Sequence, residues 1–217
     1  MDNFVDYMIR PRRYLLSSVN YSTLQLGLNK FKINNEVYER KDFQVRNQRN
    51  LILRCSHFFK DKIAESYPCI VYCHGNSGSR LDALEILETV LPLNISVIAF
   101  DFSGSGQSEG EWVSMGYYEK DDIKAVIDYT QRTLNTSHIG IWGRSMGAVS
   151  ALLYSSQYRA VDFLILESPF ASLRSLCVEL VNTHTVLFTQ IIPKIIAQFL
   201  VSRLRKSVQK IAKFDIE

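Results

Sequence analysis

Two kinds of apolar pattern alternate along this chain. The runs "PCIVYCH" (68–74) and "ISVIAFD" (95–101) are continuously apolar, the pattern of strands buried on both faces. Between them, "SRLDALEILETVL" (79–91) sets Leu81, Leu84, Leu87 and Val90/Leu91 at helical spacing. "YYEKDDIKAVIDYTQRTL" (117–134) predicts a second amphipathic helix, with Ile123, Val126, Ile127 and Thr130 facing inward. "HIGIWG" (138–143) predicts a third strand, Met146–Ser156 a third helix, and "VDFLILESP" (161–169) a fourth strand. Strands alternating with helices of this length predict an α/β fold, a doubly wound, mostly parallel sheet covered on both faces.

The flanks follow other rules. "DFQVRN" (42–47) and "LILRCSHF" (51–58), joined by the polar turn Gln48–Asn50, predict an N-terminal antiparallel hairpin. Residues 1–35 contain Pro11 and many polar positions, and are expected to wrap the domain irregularly. Residues 36–170 form the expected core. Residues 171–217 carry helical patterns and no clear strand, as a helical cap would. Here Ile191, Ile192, Ile195, Ile196, Phe199 and Leu200 stand beside Lys194, Arg203, Arg205, Lys206, Lys210 and Lys213. A basic amphipathic helix of this kind, broken or restarted at Pro193, packs as a cap, makes peripheral membrane contact or binds a partner.

Composition narrows the field. With 47% hydrophobic and 22% charged residues, the chain of 217 residues is globular rather than disordered. A formal charge of +3, with no interleaving of basic and aromatic residues, argues against nucleic acid as a partner. Acidic residues precede any apolar run at the N-terminus, and no apolar window reaches ~18 residues, so neither a secretory signal nor a transmembrane helix is expected. The four cysteines, Cys55, Cys69, Cys73 and Cys177, form no CxxC pair and read as reduced core residues of a cytoplasmic protein.

One stretch then carries chemistry. In "IGIWGRSMGAVSALLY" (139–154), Ser145 sits between Gly143 and Gly147, after a strand and before a helix. Two glycines suit a turn too sharp for side chains, and such a strained turn lifts a serine oxygen above a sheet edge. A helix N-terminus aimed at the same point favours the negative charge that develops in acyl transfer. Ser145 is therefore the expected nucleophile. The loop His74-Gly75-Asn76-Ser77-Gly78 also follows a strand and can present a backbone N–H. Asn76 and Met146 are the expected oxyanion-hole donors. His74, at a strand end before a tight turn, is expected to shape that loop rather than act as a base. "DFSGSGQSEG" (101–110) spaces Gly104, Gly106 and Gly110 wrongly for a dinucleotide loop, so Asp101 is expected to bond local backbone amides.

The motifs HGNSG, DFSGSGQSEG and GRSMG, in that order and each after a strand, resemble those of the α/β-hydrolase superfamily. Within it the chain is similar to the serine aminopeptidase S33-like or ABHD-type serine hydrolases, over roughly residues 40–170 and including "ESPF" (167–170). The resemblance implies an eight-stranded sheet and a Ser–Asp–His triad in that chain order. It also implies no metal and no cofactor, and substrates that are small-molecule, lipid, acylated or peptide esters, thioesters and amides.

The chain departs from that pattern after Ser145. Its only later histidine is His184, and no later strand with a following histidine is legible. Three expectations follow. The chain is truncated before the usual acid and histidine, it is a non-catalytic pseudoenzyme or interaction module, or it is active with His184 as base and Glu167 as acid. Truncation is preferred, because "VDFLILESP" is too apolar for a sheet edge.

Overall fold

A computed structural model describes residues 26–61, 65–158, 160–173, 175 and 176, and the single positions 198, 199, 202 and 206. Among the described residues, seven strands form one sheet: β1 (Lys30–Ile33), β2 (Glu36–Arg46), β3 (Ile52–Lys60), β4 (Tyr67–Cys73), β5 (Ser96–Phe100), β6 (Thr136–Arg144) and β7 (Phe163–Glu167). The helices α1 (Leu84–Val90), α2 (Glu119–Thr133) and α3 (Met146–Gln157) accompany them. The spatial order is β1-β2-β3-β5-β4-β6-β7. The strands β5, β4, β6 and β7 run parallel, and β1, β2 and β3 join them through antiparallel pairings.

The continuous apolar runs work as expected for strands covered on both sides. Along β4, Cys69, Val71 and Cys73 face one cluster with Ile123, Val126 and Ile127 of α2 and Ala151 and Tyr154 of α3. Ile70 and Tyr72 face the other, with Ile86, Leu87 and Val90 of α1. In β5, Ile98 and Phe100 join the first cluster and Val97 and Ala99 the second. The period of two along each strand thus serves two layers of helix.

The hairpin pairs β2 with β3 from Arg46↔Ile52 to Tyr38↔Lys60, longer than the sequence pattern predicts. A strand also appears where an irregular segment is expected: β1 pairs with β2 from Lys30↔Glu39 to Ile33↔Glu36. Asn34 and Asn35 both take positive φ between them, at 50° and 68°, which lets the two strands turn in two residues. The expected helix over 79–91 is divided into a 3-10 turn at Arg80–Ala83, α1, and a second 3-10 turn at Leu91–Leu93. The tighter first turn rotates the inner face, so Ala83, Ile86, Leu87 and Val90 are buried while Leu81 and Leu84 are half-buried.

Cys55, Cys69 and Cys73 are buried free thiols, and Cys177 lies outside the described residues. Nearly all of the expected cap and basic helix, including His184, Lys210 and Lys213, also lies outside them. No helix among the described residues is long and apolar enough to cross a membrane.

Candidate active site

The four parallel strands end together, at Cys73, Phe100, Arg144 and Glu167, so the segments that follow them cluster at one end of the sheet. Ser145 follows β6 directly and caps α3. Its backbone takes φ 51° and ψ −113°, a conformation that costs a non-glycine residue of order 1–3 kcal/mol. Its N–H donates to Glu167 O at 2.8 Å, and its carbonyl accepts from Val149 N at 3.0 Å. The flanking glycines are dictated by contact. An ideal Cβ on Gly143 would lie 2.6 Å from Gly147 O and 2.7 Å from the Ala148 backbone. One on Gly147 would lie 2.6 Å from the Cys73 carbonyl carbon. Met146, the first residue of α3, is fully buried in the core.

The loop after β4 lies against this turn. An ideal Cβ on Gly75 would sit 3.7 Å from Arg144 O and 3.8 Å from Ser145 Cβ. His74 is fully buried, and both ring nitrogens are engaged: Nε2 accepts from Phe102 N at 3.1 Å and Nδ1 lies 2.6 Å from Gly75 O. Because Nε2 accepts, Nδ1 carries the proton that Gly75 O receives. His74 therefore ties the loop after β4 to the loop after β5. Asn76 is half-buried, and its Oδ1 is shielded from solvent without a hydrogen-bond partner among the described residues.

The loop after β5 is pinned by buried acids. Asp101 accepts from Arg80 N at 2.8 Å and Gln107 N at 2.9 Å. Gly106, at φ 49°, packs so closely on the Asp101 carboxylate that no side chain fits there. Asp122 of α2 accepts from Ser103 N at 2.9 Å, Ser103 Oγ at 2.6 Å and Asn47 Nδ2 at 2.6 Å. Burial raises its pKa to about 6, although these bonds and Arg49 favour the carboxylate. Glu119 accepts from Ser114 N and Gly116 N, both at 2.8 Å. Sequence reasoning passed over both α2 acids. The signal was there: positions 119, 122, 123, 126, 127 and 130 share one face, so the two acids stand in line with the apolar stripe.

Glu167 ends β7 beside the serine turn. Its Oε1 accepts from Trp142 Nε1 at 2.6 Å and its Oε2 from Arg144 Nε at 2.8 Å. Burial pushes its pKa up, but the bonds from Arg144 and Trp142 outweigh that and hold it below the usual carboxylate range. Among the described residues no hydrogen bond joins Ser145 Oγ or Glu167 to a histidine.

A mixed, mostly parallel sheet covered on both faces, with a strained serine turn next to a glycine-containing loop at the ends of the parallel strands, defines the α/β-hydrolase fold. The family model for serine aminopeptidase, S33 matches residues 64–214, and the chain belongs to that family. The uncharacterized protein YqkD of Bacillus subtilis is 40% identical over 105 residues, 47% of this chain and 34% of its own. The lysophosphatidylserine lipase ABHD12 of Rattus norvegicus is 31% identical over 123 residues, 54% of this chain and 30% of the lipase. The chain thus spans about a third of the length of these curated relatives. Among solved structures, the Pyrococcus furiosus esterase Pf2001 superposes with a TM-score of 0.61 at 23% identity, over 71% of this chain and 58% of the esterase. That likeness is one of fold.

Proposed function

We propose that this chain carries the nucleophile and oxyanion cradle of a serine hydrolase that cleaves an ester, thioester or amide. The observation that carries the reading is Ser145 at φ 51° between two glycines whose places admit no side chain. Such strain persists where surrounding structure enforces it, and it presents the hydroxyl at the end of the sheet. Ser145 Oγ attacks the substrate carbonyl, and its proton passes to a base. The N–H groups of Asn76 and Met146 hold the oxyanion, helped by the N-terminus of α3. The leaving group takes the proton and departs, and water then releases the acyl group from Ser145. The substrate class is a lipid or other acyl ester, which the relative named as a lysophosphatidylserine lipase and the fold neighbour named as an esterase both favour.

His184 is the histidine of the sequence that lies outside the described residues. That both carboxylate oxygens of Glu167 accept from Trp142 and Arg144 favours a second reading, a non-catalytic binding module on the same fold. A fluorophosphonate probe separates the two. Incubated with the full 217-residue chain, it is expected to modify Ser145, located by peptide mass spectrometry, and to leave Ser145→Ala unmodified. An unmodified Ser145 in the wild-type chain would overturn the reading that these 217 residues by themselves form an active hydrolase.

A further inference from the structure

Arg144 stands between Gly143 and Ser145, and its side chain is held from two sides. Its Nε donates to Glu167 Oε2 at 2.8 Å, and its Nη1 meets Glu85 Oε2 of α1 at 3.0 Å. The second Glu167 oxygen accepts from Trp142 Nε1 at 2.6 Å. Trp142 and Arg144 are two residues apart in β6 and share one face of the sheet. Glu167 also accepts the Ser145 N–H through its own backbone carbonyl, at 2.8 Å. One residue at the end of β7 therefore grips the side chains before the nucleophile and the backbone of the nucleophile itself.

We propose that Arg144 and Glu167 form a positioning clamp that holds Ser145 in its strained conformation, and that Glu167 serves there rather than as the acid of a proton relay. The proposal rests on the hydrolase reading above. Both Glu167 oxygens are occupied by donors on β6, which leaves the carboxylate turned toward the clamp. Two-point bonding of a carboxylate by charged and neutral N–H donors is directional as well as attractive. Global stability depends little on it: Arg144 is 41% exposed and Glu85 63% exposed, and solvent-screened ion pairs contribute little to folding. The clamp acts on geometry. A displaced nucleophile loses rate steeply even when the fold is intact.

The test compares Arg144→Ala, Arg144→Lys, Glu167→Gln and the double variant Arg144→Ala/Glu167→Gln in the full chain. Three quantities are read on each: the second-order rate of Ser145 phosphonylation, the melting temperature, and the amide hydrogen exchange of Ser145. The single variants Arg144→Ala and Glu167→Gln are expected to slow phosphonylation by about tenfold with melting little changed, and the double variant to be no slower than the worse single. Arg144→Lys is expected to recover part of the rate. The Ser145 amide is expected to exchange about tenfold faster in Arg144→Ala, with the β4 amides unchanged. A relay acid would behave differently, with Glu167→Gln far slower than Arg144→Ala and the two losses additive. That pattern, or variants that react like wild type, would overturn the clamp. If wild-type Ser145 does not react at all, these 217 residues are not an active hydrolase by themselves and exchange decides alone. Faster exchange at Ser145 then supports the clamp, and unchanged exchange overturns it.

Discussion

Gly147, in the first turn of α3, is pressed against the backbone of Cys73 at the end of β4. A Cβ there would lie 2.6 Å from the Cys73 carbonyl carbon and 2.7 Å from His74 O. The serine turn and the loop beside it therefore meet through a contact that only hydrogen fits. Gly147→Ala must push α3 away from β4, and a forced side chain in a packed core costs about 1–3 kcal/mol. Urea unfolding should show that loss. Gly75→Ala is the matched control, because a Cβ there meets its nearest neighbours at 3.7 and 3.8 Å, ordinary contact distances. Equal unfolding midpoints for the two variants would show that α3 yields easily, and would remove the packing argument for Gly147.

Strain at Ser145 predicts an inverted order of stabilities. Glycine ordinarily destabilises relative to alanine, because it loses more freedom on folding. At φ 51° and ψ −113° alanine keeps the strain, whereas glycine relieves it. Ser145→Gly is thus expected to be more stable than Ser145→Ala by about 1 kcal/mol in urea unfolding. The reverse order would mean that the turn is relaxed and that the serine is not held for a purpose.

Much of this fold was legible because the parallel strands are buried on both faces. Runs such as Cys69–Cys73 and Ser96–Phe100 leave little ambiguity when helical stripes separate them. The serine turn was legible for the same reason, since Gly143 and Gly147 bracket Ser145 at a strand-to-helix junction. What was not legible depends on contacts between residues distant in sequence. β1 is a four-residue strand of mixed exposure, and pairing with β2 rather than its own pattern makes it a strand. The roles of Asp122 and Glu167 depend on donors 19 to 75 residues away, such as Ser103, Trp142 and Asn47. A carboxylate at a strand end looks the same in sequence whether it faces a histidine or an arginine.

Two buried groups predict opposing pH responses in one window. Asp122 has its pKa raised by burial from 3.8 to about 6. Between these values the native state holds a proton that the unfolded state releases, so stability falls as pH rises from about 4 through about 6. His57 has its pKa lowered by burial from 6.5 to about 4. Here the unfolded state binds the extra proton, so stability is lost as pH falls from 6.5 through about 4. The two slopes offset each other in the wild-type chain. Asp122→Asn should expose the His57 slope, with stability rising toward pH 6.5, and His57→Gln the opposite slope. Urea midpoints from pH 4.5 to 7.5 on both variants test this. Parallel profiles for the two would refute the assignment of either group.

Geometry narrows which of the four histidines of this sequence can take the proton of Ser145. His74 is fully buried with both nitrogens engaged. His57 pairs with Ile98, which is level with Val71 and Ile141, and so stands three strands across the sheet from β6. His138 lies near the start of β6, and the extended strand from there to Ser145 spans about 20 Å. His184 remains, outside the described residues. In a chain whose Ser145 reacts with a fluorophosphonate, His184→Ala is expected to slow the reaction at least about a hundredfold, the usual worth of a positioned base. His57→Gln and His138→Gln should react as wild type does. A His184→Ala chain that reacts at the wild-type rate would show that Ser145 is activated without His184. If the wild-type chain also stays unmodified, none of the four histidines activates Ser145 within these 217 residues.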